Sequence, residues 1–303
     1  MKLHQIRDFL AVAQAGGVRA AARELGLSQP AVSKSLQQLE ADLGAPLFER
    51  STTGAVLTAA GQAFLSRARA VTAELDRARD EVAQIQSAAP GTVAVAMTGT
   101  PAMHLLPTAL RRFRRRHAQA RVRVVERRYD ATLQELREGL LDLAVMPQPA
   151  GPVDRRLVVE PILRDVAVVI ARRQHPLRHA GSLEELLDAP WLVTRMRGDK
   201  AEEFENIFRR QKLRAPQTLL LCESVVGSLS LLAGADLLAY MPSRWLGSLL
   251  TRPLLERIPV GRPVEMVPIC IVRRADLPLT PAAEALADAV RTEAGILDRA
   301  LQI

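Results

Sequence analysis

Cysteine is scarce in this chain. Of 303 residues only Cys222 and Cys270 are cysteines, without metal-ligand spacing and without the numbers for a disulfide framework. Aromatic residues make up only 3% against 48% hydrophobic, so aliphatic side chains must fill the interior, and the length suffices for two or three domains with cores. No apolar run reaches membrane-spanning length. Charges in Met1-Lys-Leu-His-Gln-Ile-Arg-Asp8 interrupt any signal-peptide core, so a cytoplasmic location is expected. A Gly-rich phosphate loop, HExxH and GxSxG are all missing. The histidines His4, His104, His117, His175 and His179 are scattered, and Pro176 breaks the helix that would pair the last two. No catalytic residue, metal or cofactor is therefore expected. Cys222 lies at a strand end, where a redox switch is one reading and a buried thiol the other.

Positive charge is plentiful, but not where a nucleic-acid reading would first place it. The net charge is +8. Residues 1–89 hold 10 Lys+Arg against 9 Asp+Glu, net +1, and the remaining +7 lies beyond them. Much of it is a cluster of Arg111, Arg112, Arg114, Arg115, Arg116, Arg121, Arg123, Arg127 and Arg128. That cluster reads as a solvated rim, with a DNA or partner contact as the alternative.

The informative stretch is Val18 to Gly44. Ala20, Ala21, Ala22 and Leu25 make a short helix that Gly26 stops. Ser28 then caps a second helix with Pro30 in its first turn. Val32, Leu36, Leu39 and Leu43 form its apolar stripe, and the opposite face carries Gln29, Ser33, Lys34 and Gln37. A short amide- and hydroxyl-bearing helix presented by a helix-turn-helix suits the major groove of DNA. On periodicity alone, a plain helical hairpin with a solvated face fits equally.

The run Ala20-Ala21-Ala22…Leu25…Leu27-Ser28-Gln29-Pro30-Ala31-Val32-Ser33…Leu36…Leu39-Glu40…Leu43-Gly44…Leu47-Phe48…Arg50 closely resembles the N-terminal domain of LysR-type transcriptional regulators, over roughly the first sixty residues. Residues 3–15 supply the first helix, with Ile6, Phe9, Leu10 and Ala13 at helical spacing. Pro46–Arg50 and Ala55–Thr58 flank the turn Ser51-Thr-Thr-Gly54 as a wing. The candidate DNA contacts are Ser28, Gln29, Pro30, Ala31, Ser33, Lys34 and Gln37 on the recognition helix, with Arg50, Thr52 and Thr53 on the wing. Gln29 can read an adenine edge, Ser33 a base or phosphate, and Pro30 and Ala31 a thymine methyl. Lys34 and Arg50 carry charge to phosphates. Many relatives have arginine where Lys34 stands, which keeps the charge and loses the bidentate fork.

Residues 58–89 read as one long helix with a heptad seam of Phe64, Ala68, Val71, Leu75, Ala78, Val82 and Ile85. A narrow seam following a complete small domain predicts a dimer, and two winged domains would read the half-sites of an inverted repeat. The resemblance makes this the family's linker helix. Ala-Ala-Pro90-Gly91 begins a new domain.

From residue 92 strands alternate with helices, which predicts parallel sheets covered by helices. Strands are read at 92–97, 121–126, 141–145, 166–171, 191–194 and 218–221. Helices are read at 107–117 and 132–139, with others beginning near Ser182, Ala201 and Ser224. The run Glu138-Gly139…Leu141-Asp142-Leu143-Ala144-Val145 resembles the LysR effector-binding domain, whose fold is that of two-lobed periplasmic solute-binding proteins. The resemblance implies lobe one from about 92 to 162 and 267 to 303, lobe two from about 163 to 266, and a ligand cleft between them. Strand ends then nominate Thr98, Gly99, Thr100, Pro101, Tyr129, Thr132, Met146, Thr194, Met196, Glu223 and Ser224. Hydroxyls and helix N–H groups suit an organic anion such as a carboxylate or sulfonate, whereas Glu223 argues for a hydroxylated or cationic group, or for a salt bridge. Ser224 is equally a plain N-cap and Thr100 a turn residue.

The sequence thus predicts an α/β chain in three parts. Residues 1–58 are a winged helix-turn-helix, 59–89 a linker and dimerisation helix, and 90–303 a two-lobed, Rossmann-like effector domain. The function is that of a sequence-specific, effector-modulated transcriptional regulator acting as a homodimer. The family adds a homotetramer, with RNA polymerase as a further partner. Two alternatives are a small-molecule binder whose N-terminal domain serves assembly only, and an architectural DNA binder without an effector.

Overall fold

The computed structural model describes residues 1–303 apart from 52–53, 87–89, 153, 195–199 and 300–303, and the backbone alone at 50–51 and 200–203. The chain begins with α1 (Leu3–Ala15), α2 (Val18–Leu25) and α3 (Gln29–Leu43), followed by the hairpin β1 (Phe48–Ser51) and β2 (Gly54–Leu57). Gly26 takes the left-handed conformation, φ +65°, that ends α2, and Leu27 N–H closes the turn on the Ala22 carbonyl at 2.9 Å. The apolar faces of α1, α2 and α3 meet in one core of Ile6, Phe9, Val12, Ala21, Val32, Leu36, Leu39 and Leu47.

Next comes α4 (Ala59–Ile85), whose 27 residues extend for about 40 Å. Thr58 Oγ1 caps it from Gly61 N–H at 2.9 Å and donates to the Pro46 carbonyl at 2.7 Å, which ties the helix to the wing. The heptad seam divides. Phe64 and Ala68 belong to the helix-turn-helix core, with the Phe64 ring edge-on to Phe9 at 5.1 Å. Val71, Leu75, Val82 and Ile85 stand exposed.

Lobe one is a five-stranded sheet in the order β4 (Arg121–Val125), β3 (Thr92–Met97), β5 (Leu143–Pro147), β13 (Ile269–Arg274), β6 (Leu157–Leu163). Strand alternation gives it two apolar faces. Val93, Val95, Leu143 and Val145 pack under α5 (Gly99–His104), α6 (Leu106–Arg114) and α10 (Pro281–Arg299). Ala96, Ala144, Met146 and Val272 pack against α7 (Tyr129–Arg137) on the other face. Lobe two centres on β7 (Val166–Arg172), which pairs with β10 (Ala239–Pro242), β11 (Leu255–Arg257) and β12 (Val264–Glu265). Beside it lies the parallel pair β8 (Trp191–Thr194) and β9 (Leu219–Cys222), flanked by α8 (Lys200–Arg210) and α9 (Val225–Gly234). The chain crosses between the lobes at Arg164-Asp165 and at 266–268, and Met266 N–H joins the crossings by donating to the Asp165 carbonyl at 3.2 Å.

Parallel sheets throughout are not what forms. β4, β3 and β5 are parallel, but β13 runs antiparallel to β5 and β6, and every partner of β7 is antiparallel. The physical reason is the double crossing, since a chain that returns from lobe two re-enters the lobe-one sheet from the opposite end. Local readings also change: the helix read at 132–139 runs from Tyr129 to Arg137, and the strand read at 141–145 from Leu143 to Pro147. The segment after β3 forms α5, the helix placed at 107–117 runs from Leu106 to Arg114, and only a 3₁₀ turn at Glu184–Leu186 follows Ser182.

Candidate DNA interface and effector cleft

The recognition helix is α3. Ser28 Oγ accepts from Ala31 N–H at 3.4 Å, so this hydroxyl is spent on capping the helix. Gln29, Pro30, Ala31, Lys34 and Gln37 are exposed, and Ser33 is half-buried. The side chains of Gln29, Ser33, Lys34 and Gln37 form no hydrogen bond among the described residues, which leaves their donors and acceptors available. On the wing, Arg50 stands in register with Ala55, and Ala55 N–H donates to the Gly16 carbonyl at 3.0 Å, which fixes the hairpin against the end of α1. Thr52 and Thr53 lie outside the described residues.

Between the lobes lies a cleft of about 100 Å³. Its walls come from three places. Thr98, Gly99, Thr100 and Pro101 follow β3. Thr194 ends β8, and Glu223 and Ser224 follow β9. Asp165, Met266 and Val267 belong to the crossings. Trp245 closes one side, with its indole Nε1 donating to Thr100 Oγ1 at 3.1 Å, so that a lobe-two side chain holds a lobe-one hydroxyl. Beside it, Arg244 is buried and reaches back to lobe one and to the first crossing. It donates to the carbonyls of Leu297 at 2.9 Å and Arg164 at 3.2 Å, and its Nε stands 3.9 Å from Asp165 Oδ2. Burial pulls the Arg244 guanidinium below its usual range, against the pull of Asp165 and Asp298.

Three of the nominated effector residues are not in this wall. Met146 is buried on the α7 face, and its neighbour Pro147 lines the cleft instead. One step along a strand changes the face. Tyr129 opens α7, where its hydroxyl accepts from Ala150 N–H at 2.8 Å. Thr132 is buried and donates to the Arg128 carbonyl one turn back at 3.1 Å. Met196 lies outside the described residues. Ser224 lines the cleft while capping α9, since its Oγ accepts from Gly227 N–H at 3.1 Å. Among the described lining residues the ionisable carboxylates are Asp165 and Glu223, and no Lys, Arg or His joins them. Asp165, Trp245 and Arg244 carry no periodicity or motif that sequence reading could have used. They meet only because two crossings and a 3₁₀ turn converge.

Cys222 and Cys270 are free thiols, and burial pushes Cys270 up to about 11. Among the described residues no group of three or more His, Cys, Asp or Glu is placed to hold a metal ion. No helix among them is long and apolar enough to cross a membrane.

Comparison with known proteins fits this architecture. Residues 3–62 match the family described as bacterial regulatory helix-turn-helix protein, lysR family, and residues 86–295 match the LysR substrate binding domain. The chain therefore belongs to the LysR family, and it is a helix-turn-helix transcriptional regulator with an effector-binding domain. It is similar to the HTH-type transcriptional regulator GalR of Pseudomonas putida, with 30% identity over 288 residues, 95% of this chain and 72% of that protein. To the regulator TfdT of Cupriavidus pinatubonensis it is 32% identical over 226 residues, covering 73% of this chain and 97% of the other. Full-length CbnR, a LysR family regulator solved in complex with its target DNA, superposes with a TM-score of 0.70 at 27% identity, covering 97% of this chain and 100% of that one.

Proposed function

We propose that the chain binds DNA as a dimer, reading the two halves of an inverted repeat through paired α3 helices, and that a small molecule in the cleft between the lobes sets its activity. The observation that carries the first part is the polar face of α3, where Gln29, Ser33, Lys34 and Gln37 have no hydrogen-bond partner among the described residues on a helix already capped by Ser28. The outer stripe of α4 at Val71, Leu75, Val82 and Ile85 supports the dimer, being the apolar surface that one copy leaves in water. A tetramer, contact with RNA polymerase, a cytoplasmic location and the absence of catalysis follow from the family reading. For the ligand, the hydroxyls of Thr98, Thr100, Thr194 and Ser224 in the described lining support a small molecule that presents hydrogen-bonding groups.

The test is a gel-shift titration on the DNA immediately upstream of the protein's own gene, with scrambled DNA as competitor. Gln29→Ala should weaken binding by ~1–3 kcal/mol at its base pair and relax the sequence preference. Lys34→Ala should weaken binding uniformly and lower the salt slope by about one. Binding that ignores both the scrambling and Gln29→Ala would overturn the reading.

A further inference from the structure

The arginine cluster between residues 111 and 128 is only partly accounted for by the fold. Three of its nine arginines are held. Arg112 Nε donates to Glu293 at 2.9 Å, Arg127 Nε to Glu135 at 3.1 Å, and Arg123 Nη2 to the Leu140 carbonyl at 2.7 Å. The side chains of the other six, Arg111, Arg114, Arg115, Arg116, Arg121 and Arg128, are exposed and make no ion pair or hydrogen bond among the described residues. Local physics explains some of them. Arg111, Arg112 and Arg114 sit in the last turn of α6, where cations meet the negative end of the helix dipole. Arg121 and Arg123 charge β4, which is an edge strand and gains protection from edge-to-edge pairing. Arg115 caps the same helix end, but neither reason covers Arg116 or Arg128. Consecutive cations at 114, 115 and 116 stand well inside a screening length of about 8–10 Å and repel one another. An anionic partner would remove that repulsion.

The position of the ridge says which partner. Arg121 is in register with Thr92 and its N–H donates to the Gly91 carbonyl at 3.0 Å, so the ridge begins where the sensing half leaves the linker. Leu140, whose carbonyl holds Arg123, lines one cavity together with Leu10 of α1 and Arg69 of α4. The ridge therefore starts on the side of lobe one that faces the DNA-binding half. That half carries a net charge of only +1 over residues 1–89, little for a module that must hold a polyanion.

We propose that the ridge formed by the end of α6 and the edge strand β4 is a second, sequence-independent DNA contact. It grips the phosphate backbone of duplex that runs beyond the segment read by α3. The proposal builds on the DNA-binding function and adds a surface that the recognition helix and wing do not include.

The experiment measures binding of the full-length protein to a 60-base-pair duplex of random sequence across a salt series. One variant replaces Arg111, Arg114, Arg115 and Arg116 with Gln. A control removes the same charge from exposed, unpaired positions of lobe two, replacing Arg210, Arg252, Arg257 and Arg262 with Gln. Each phosphate contact contributes about 0.9 to the slope of log K against log salt, so the ridge variant should lose about 3–4 from that slope and the control nothing. Affinity of the ridge variant near 0.15 M salt should fall at least tenfold. Arg121→Gln with Arg128→Gln, at the other positions of the ridge, should lose about 2 and keeps the test open if the fourfold variant misfolds. An unchanged slope in both ridge variants overturns the proposal, and so does an equal loss in the control, which would mean that charge acts wherever it sits. Gln29→Ala reports separately on the recognition helix: it removes sequence preference and leaves the slope on random duplex unchanged.

Discussion

Arg77 on α4 and Asp142 at the foot of β5 form the joint between the two halves of the chain, with Nε 3.0 Å from Oδ1. Arg77 Nη2 also donates to the carbonyls of Gly139 at 2.6 Å and Leu141 at 2.9 Å. The second oxygen of Asp142 accepts from Ala94 N–H at 2.7 Å, in the neighbouring strand β3. Asp142→Ala leaves a mostly buried guanidinium with only the longer Glu74 pair at 3.5 Å and orphans a strand N–H. The expected loss is ~3 kcal/mol of docking stability. Hydrogen exchange along residues 70–85 reads it directly, and unchanged protection of that stretch would show that the joint does not hold the helix.

Gly61 and Gly295 make an informative pair. A Cβ at Gly61 would stand 2.0 Å from the Leu47 carbonyl oxygen, backbone against backbone, whereas one at Gly295 meets nothing within 4 Å. Gly61→Ala should cost ~3 kcal/mol or more by forcing α4 off the wing. Gly295→Ala, inside α10, should gain ~0.5–1 kcal/mol from helix propensity. Urea denaturation of the two variants should move in opposite directions.

His104 and His175 are both pushed below the usual histidine range, chiefly by burial, and for His104 also by the neighbouring Arg244 cation. The unfolded chain then takes up protons first as pH drops below about 6.5. Stability from these sites is complete above that pH and is lost as pH falls from 6.5 toward the folded values. Denaturation midpoints measured at pH 7.5 and 5 should differ in that direction, and His104→Gln should shrink the difference. A difference that His104→Gln leaves intact would assign the effect elsewhere.

Trp245 reports on the cleft. Its N–H crosses the lobes to Thr100, and Trp191, the second tryptophan, is fully buried in the core of lobe two. Thr100→Val keeps the shape and removes the acceptor, at a cost of ~1–3 kcal/mol. Emission should shift to longer wavelength as Trp245 seeks water, and the shift should vanish in Trp245→Phe, which leaves Trp191 as the only emitter.

The parts of the chain that could be read in advance are those whose stabilisation is local. Helices α1, α2 and α3 carry their own stripes, caps and glycine stops within a turn or two, so Gly26 and Ser28 mark real boundaries. The β7 sheet rests on pairings between residues 69 or more apart, such as Ala239 with Ile170 and Leu255 with Arg172, which no short window contains. The cleft shows both cases. Thr98, Thr100 and Ser224 lie past strand ends, where the strand-end rule looks, and line the cleft, while Met146 falls one residue short of it because the strand runs on to Pro147. Arg77 was indistinguishable from the other charges on the flanks of α4, since what singles it out is Asp142, 65 residues away.

The strands β3 and β5 each have one end in the cleft and one at the joint. Thr98 and Pro147 line the cleft, while Asp142, which accepts from Ala94 N–H, holds Arg77. Extended backbone rises about 3.3 Å per residue and compresses very little. A push on Pro147 along the strand axis is delivered to Asp142 through covalent bonds alone, in the manner of a pushrod, without passing through a single side-chain contact.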